Sequence, residues 1–184
     1  VVQLQPVIIR FAGDSGDGMQ LTGDRFTHET ASFGNDLSTL PDFPAEIRAP
    51  AGTLPGVSAF QLHFADHAIQ TPGDAADVLV AMNPAALKSN LHHVRRGGTL
   101  IVNSDEFTKR ALEKVGYAAD PLTDGSLDSY ALDAVPLTTL TVEALKGFAV
   151  TKKEAERAKN MFALGLLSWL YARGTEGTKD FLRA

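Results

Sequence analysis

Cysteine is absent from this 184-residue sequence. Its absence excludes a disulfide or a thiolate-held iron–sulfur cluster within the chain, and it fits a reducing cytoplasm. Long hydrophobic runs are lacking too. The longest, Met161–Leu167, reaches only Tyr171 when Ser168 is admitted, well short of the ~20 residues that a membrane span needs. No signal-peptide pattern opens the sequence, so a soluble, cytoplasmic protein with no membrane partner is expected. A surplus of positive charge is also missing: 17 Lys and Arg stand against 22 Asp and Glu, for a net charge of -5 and a pI of about 5.5. With no basic stripe, nucleic acid is excluded as the main partner. The adjacent pairs Arg95-Arg96 and Lys152-Lys153 are expected on solvated helix ends. No internal repeat is evident.

What is present suits one α/β domain with a substantial core. The apolar fraction of 44% and charged fraction of 21% are ordinary for a globular protein. The organising stretch runs from Pro6 to Gln20. Val7, Ile8, Ile9 and Phe11 form a nearly continuous apolar run, as in a strand covered on both faces. Gly13, Gly16 and Gly18 then permit the positive φ and close backbone approach of a tight strand-to-helix turn. The first N–H groups of the helix that follows would point into that turn and offer a seat to an anion such as phosphate.

Residues 18–33 read as a helix with Leu21, Phe26 and Ala31 on its buried side, closed by Gly34-Asn35-Asp36. Residues 37–56 carry Pro41, Pro44, Pro50 and Pro55, which exclude a long helix and predict a shaped loop. Ordered loops of that length tend to carry function. Phe60–Phe64 alternates apolar and polar residues, as a half-buried strand does. Asp77–Asn83 and Thr99–Asn103 read as buried strands, the first leading through Pro84 into a helix to about Val94. Ser104-Asp105 would cap a helix running to Val115. Tyr130–Leu137 predicts a strand, Thr141–Lys146 a short helix, and Lys152–Ala172 one long helix with Ala155, Ala158, Phe162, Leu166 and Trp169 at helical spacing. The tail from Gly174 has no stop signal, and Phe181-Leu182 suggests an element just beginning, as in a fragment of a longer protein. Strands and helices alternate, so the expected fold is an open, mostly parallel sheet with helices on both faces. Ligands on such sheets sit beyond the carboxyl ends of the strands, where the Gly13–Gly18 turn, Asn83 and Asn103 would lie.

A dinucleotide site needs G-x-G-x-x-G and an acidic residue ending the next strand. The spacing here is G-x-x-G-x-G, with no clear second strand ending in Asp or Glu. Gly16-Asp17-Gly18 also matches the start of a thiamine diphosphate motif, but the Asn pair required about 25 residues later is missing. Ser15 lacks the context of a nucleophile elbow. Asp14 and Asp17 suit turn and helix-start positions better than an acid/base pair. The side chains of His92 and His93 are expected to diverge, and His63 and His67 read as surface residues, so no metal site is expected. Arg48, between prolines in an otherwise apolar loop, is either paired with Glu46 or an Asp, or free to recognise a phosphate or carboxylate.

Ile9–Gly18 resembles the opening of the gamma domain of 2-oxoacid:ferredoxin oxidoreductases. Pro44–Arg48, Asp77–Asn83, Gly97–Ser104 and Ala158–Gly165 match the same family in order, across residues 6–172. The type in which this domain is fused ahead of the alpha domain, as in 2-oxoglutarate:ferredoxin oxidoreductase, is the most similar. The resemblance implies a Rossmann-like gamma domain over residues 1–172, with 173–184 beginning a linker to a thiamine diphosphate-binding alpha domain. It implies a parent enzyme that decarboxylates a 2-oxoacid, 2-oxoglutarate above all, passes the acyl group to coenzyme A and reduces ferredoxin. Thiamine diphosphate, magnesium and an iron–sulfur cluster would belong to that parent complex. The implied partners are the alpha domain of the same polypeptide, a beta subunit and, through the complex, ferredoxin.

The thiamine motif, the cluster cysteines and the 2-oxoacid-contacting segment are missing from this stretch, which implies that it is inert alone, with no catalytic or metal-binding residue of its own. Gly13, Asp14, Ser15, Gly16, Asp17, Gly18, Arg48 and Asn83 are then the candidates for facing coenzyme A or the active centre. Ala49-Pro50 replace the two glycines that often follow the arginine in this family. The alternatives are a nicotinamide-dependent oxidoreductase domain and a ligand-free interaction domain using the apolar 161–171 helix.

Overall fold

The computed structural model describes residues 6–46 and 48–183, which form six strands and seven α-helices. In order they are β1 (Val7–Asp14), α1 (Met19–Ser32), β2 (Asp36–Asp42), β3 (Val57–Ala65), β4 (Ala76–Ala81), α2 (Pro84–Asn90), β5 (Val94–Asn103), α3 (Lys109–Lys114), β6 (Ala131–Val135), α4 (Leu137–Ala144), α5 (Lys152–Arg157), α6 (Lys159–Leu170) and α7 (Glu176–Arg183). The strands form one sheet in the order β2-β3-β1-β4-β5-β6. β1, β4, β5 and β6 pair in parallel, and β3 alone opposes its neighbours β1 and β2. The expected open, mostly parallel sheet is present.

Alternation along the central strands builds two cores. Ile9, Phe11, Val78, Val80 and Ile101 face α1, α4 and α6. Ala12, Leu79, Ala81, Leu100 and Val102 face α2 and α3. Phe26 of α1 stacks edge-on or tilted against Phe11, Phe64 and Tyr171, with centroids 6.2, 6.0 and 6.1 Å away, which fixes the helix over β1 and β3.

Several elements differ from the expectation. Residues 36–42 form strand β2 and not loop. Proline is tolerated there because β2 lies at the sheet edge, where one row of backbone groups needs no partner. Leu21 and Ala31 are exposed; the buried stripe of α1 is Met19, Thr22, Gly23, Phe26, Glu29 and Thr30, whose polar members hide it from a hydrophobicity reading. The helix expected from Ser104 starts later, as α3, with Thr108 Oγ1 accepting the Ala111 N–H. Arg95 and Arg96 open β5 and lie on no helix end, and Arg95 pairs with Asp77 at 2.6 Å. The long C-terminal helix is two, α5 and α6, meeting at Ala158. Asn160 Oδ1 accepts the Met161 N–H and so caps the second from within. Trp169 is 76% exposed, because the buried face of α6 runs through Asn160, Ala163, Leu164, Leu167 and Ser168. Residues 176–183 form α7, held on α1 by the Thr178 N–H to Glu29 and by Arg25 over the Phe181 ring.

Beneath β2 lies a buried polar knot. Arg10 of β1 is 2% exposed. It donates from Nε to Asn90 Oδ1 at 2.6 Å and from Nη1 to Gln61 Oε1 at 3.4 Å, and it pairs with Asp42 at the end of β2. A second strand does end in an acidic residue, then, but that residue is bound to Arg10. β3 separates β2 from β1, so Asp42 is not placed as the ribose-binding acid of a dinucleotide fold.

Candidate functional site

A cleft of about 330 Å³ opens where β1 and β4 end. Chain order reverses there: β1 has β3 on one side and β4 on the other. Open α/β sheets bind ligands at such a switch point, because the loops leaving the two strands diverge to opposite faces. Asp14 ends β1, and Asn83 follows β4 as the N-cap of α2, its Oδ1 accepting the Ala86 N–H at 2.8 Å. Both line the cleft, together with Asp17 of the glycine turn.

The turn is closed by its own side chains. Asp17 Oδ2 accepts the Asp14 N–H at 2.9 Å, and the Asp17 N–H donates to the Asp14 carbonyl at 2.8 Å. Gly18 has φ +71, and a Cβ there would meet Asn160 Nδ2 at 2.5 Å. A Cβ on Gly13 would meet Asp17 Oδ2 at 2.9 Å. Gly16 has nothing within 4 Å of that position, and Ser15 beside it is exposed. The Asp17 carboxylate is thus turned back onto the end of β1, and the start of α1 carries no side-chain cap.

The proline-rich segment is docked onto this turn. The Gly52 N–H donates to both Asp14 oxygens at 2.9 and 2.8 Å, and the Ser15 N–H donates to the Gly56 carbonyl at 3.2 Å. Burial pushes the Asp14 carboxyl above its ordinary range, against the pull of the Gly52 N–H, and Asp17 adds to the rise. Arg48, on the same segment, is exposed and forms no ion pair among the described residues. It does not line the cleft. Ile47, beside it, lies outside the described residues.

Elements distant in sequence complete the walls. Lys159, the first residue of α6, sits with its Nζ 3.2 Å from Asp17 Oδ1 and 3.3 Å from Glu106 Oε1. Burial works against the ammonium, yet the two carboxylates overcome it and hold the amine above its ordinary value. Arg110 and Lys114 of α3 stand on the rim, Lys114 donating to the Ala51 carbonyl. The arrangement is a recess lined by three cations and three carboxylates, in which Asp17 and Glu106 hold Lys159 while Arg110 and Lys114 stand at the rim. Sequence reasoning missed Lys159, Glu106, Arg110 and Lys114. Lys159 lay within a stretch that resembled the family, but nothing local tied it to Asp17.

The histidines fall elsewhere. The rings of His92 and His93 do not diverge; their centroids are 3.9 Å apart, because the two residues lie in a 3-10 turn after α2. Burial, then the charge of Arg10, holds His93 below its usual value. His63 Nδ1 meets the Thr71 carbonyl and His67 pairs with Asp66. Among the described residues no three His, Asp or Glu side chains are grouped to hold a metal, and no helix is long and apolar enough to cross a membrane.

The family model described as pyruvate ferredoxin/flavodoxin oxidoreductase matches residues 8–183. The 2-oxoglutarate oxidoreductase subunit KorA of Mycobacterium tuberculosis is 63% identical over 181 residues, which are 98% of this chain and 28% of that protein. The chain thus spans little more than a quarter of the curated relative. Two solved structures share the fold. The 2-oxoglutarate:ferredoxin oxidoreductase from Magnetococcus marinus, a structure with 2-oxoglutarate, coenzyme A and succinyl-CoA bound, aligns with a TM-score of 0.65 and 24% identity over 90% of this chain and 24% of that one. The gamma subunit of a keto/oxoacid ferredoxin oxidoreductase from Geobacter sulfurreducens aligns with a TM-score of 0.61 and 20% identity, over 88% of this chain and 75% of that one.

Proposed function

The chain belongs to the pyruvate ferredoxin/flavodoxin oxidoreductase family, and from that premise we propose that it is the gamma domain of a 2-oxoglutarate:ferredoxin oxidoreductase. In this reading the parent enzyme oxidatively decarboxylates 2-oxoglutarate, transfers the succinyl group to coenzyme A and passes two electrons to ferredoxin. The observation that carries the proposal is the cation-rimmed cleft at the switch point, on a chain so similar to the subunit from Mycobacterium tuberculosis. This domain supplies part of the coenzyme A site. Lys159, Arg110 and Lys114 meet phosphate, Asp17 and Asn83 fix the two strand ends, and Asp14 locks the loop that presents Arg48 toward the active centre.

Thiamine diphosphate, when bound elsewhere in the complex, supplies the stabilised carbanion on which decarboxylation depends. The thiamine motif is incomplete and the sequence has no cysteine for a cluster, and among the described residues no carboxylates or histidines are grouped to hold a metal. In this reading those groups belong to the alpha domain and the beta subunit, and residues 1–184 alone are expected to turn nothing over. Residues beyond about 172 lead toward that alpha domain. The outward Trp169 and Leu170 of α6 suit contact with the rest of the assembly.

The test is anaerobic turnover by the intact parent protein with its partner subunit, given 2-oxoglutarate with and without coenzyme A. Viologen reduction that depends on coenzyme A is the expected result. Reduction of NAD, or turnover indifferent to coenzyme A, overturns the assignment. In the same assay Arg48→Ala is expected to raise the KM for coenzyme A or 2-oxoglutarate by roughly three- to tenfold. The thermal transition should not move, since Arg48 is exposed. Unchanged kinetics would remove Arg48 from the active-centre side.

A further inference from the structure

The cleft does not stop at Lys159. On the far side lies a second recess of about 420 Å³, lined by Gly16, Lys153, Glu156 and Arg157, and the two recesses share Asp17, Glu106 and Lys159 as a common wall. Two ion pairs, Lys159 with Asp17 and Lys159 with Glu106, join those shared residues. The side chains of Lys159 and Asp17 are 16% and 14% exposed, and that of Glu106 is 40% exposed. Cations stand at both ends: Arg110 and Lys114 in the first recess, Lys153 and Arg157 in the second. Arg110, Lys153 and Arg157 form no ion pair among the described residues.

We propose that Asp17, Lys159 and Glu106 form an ionic gate across one continuous groove, opened when an elongated ligand carrying phosphate takes Lys159 away from Glu106. The proposal rests on the coenzyme A reading, since coenzyme A is such a ligand, with phosphates at one end and a long narrow arm at the other. Two carboxylates face one ammonium, so the closed gate carries a net negative charge and repels a phosphate. One carboxylate must yield. Asp17 is held in place, because its other oxygen accepts the Asp14 N–H. Glu106 ends a short 3-10 turn, is the more exposed of the two, and has Lys159 as its only hydrogen-bond partner among the described residues. Glu106 is therefore the leaf that swings out. The lysine stem is flexible enough to turn from one anion to another without moving α6. In the closed arrangement the two carboxylates hold the Lys159 amine above its ordinary value against the effect of burial.

A merely structural clamp makes a different forecast from a gate, and the difference is one of sign. In the intact complex, Lys159→Gln is expected to raise the KM and the Kd for coenzyme A by about tenfold, since a charge-assisted contact is lost. Lys159→Arg is expected to keep most of the affinity. Glu106→Gln removes the competitor for the ammonium and is expected to lower the same constants by about threefold. Loss of affinity in both Gln variants, or no change in either, would show a clamp and overturn the gate. If the wild-type complex turns over without coenzyme A, the coenzyme A reading itself has failed, and that outcome is visible before any variant is made.

Discussion

Replacing Asp42 with alanine is expected to destabilise the chain by about 3 kcal/mol, and by more than replacing Arg10 with methionine. The order follows from which partner is left behind. Arg10 is sealed beneath β2, with its side chain 3% exposed, whereas that of Asp42 is 50% exposed. Without Asp42 the guanidinium keeps only the neutral oxygens of Asn90 and Gln61, so a buried cation has no counter-charge. The recess beside it, lined by Asp42 and His93, admits some water and holds the cost near the low end of what such losses reach. With methionine at position 10 the charge itself is gone, the volume is kept, and Asp42 is already partly solvated. The remaining cost is mainly that of Asn90 Oδ1 losing its donor, about 1–3 kcal/mol, because the bond to Gln61 Oε1 is long at 3.4 Å and contributes little. Urea unfolding of both variants gives the comparison. If the methionine variant proves the weaker, the knot is held by the hydrogen bonds to Asn90 and Gln61, and the ion pair contributes little.

The same knot shows what a sequence reading can and cannot reach. β1, β4 and β5 were legible because strands covered on both faces are apolar on both faces, and Val7–Ile9 with Phe11, Val78–Ala81 and Leu100–Val102 are. β2 was not legible. As an edge strand it carries Ser38, Thr39, Pro41 and Asp42, which are loop residues by composition, and its strand character comes from its partner β3. The turn between β1 and α1 was legible from three glycines, but its occupancy was not. Nothing local says that Asp17 turns inward to accept the Asp14 N–H, nor that Gly52 reaches across to bind Asp14. Lys159 is the extreme case. Its role depends on α6 lying against the sheet with its first turn at the mouth of the cleft, and that placement is set by Ala163, Leu164 and Leu167 in the core. A periodicity reading finds those residues and predicts the helix, yet it does not say which end of the helix meets which loop.

Gly23→Ala is expected to destabilise the chain by about 1–3 kcal/mol, although the same change inside an isolated helix stabilises it by nearly 1 kcal/mol. Gly23 sits in the middle of α1 with ordinary helical backbone, so conformational freedom is not the reason for glycine. Contact is. A Cβ built there would lie 2.2 Å from Cδ1 and 2.4 Å from Cγ of Phe60, a ring on β3 that is 8% exposed. The ring is hemmed in by the core that Phe11 and Phe26 share, so it cannot swing clear and the helix must lift off the sheet. That displacement loosens Met19 and Phe26 together, and Met19 is the first residue after the glycine turn. Gly165→Ala is the internal control. Gly165 is also helical and has nothing within 4 Å of its would-be Cβ. There the propensity term acts alone, and a gain of about 0.5–1 kcal/mol is expected. Two identical substitutions in two helices should therefore move the unfolding midpoint in opposite directions. A third variant identifies the cause: Phe60→Leu added to Gly23→Ala should recover part of the loss, giving a coupling energy that distant sites do not show. A Gly23→Ala protein as stable as wild type would mean that α1 rides more loosely over β3 than the ring contact implies. The glycine turn would then be held by Asp14, Asp17 and Gly52 alone.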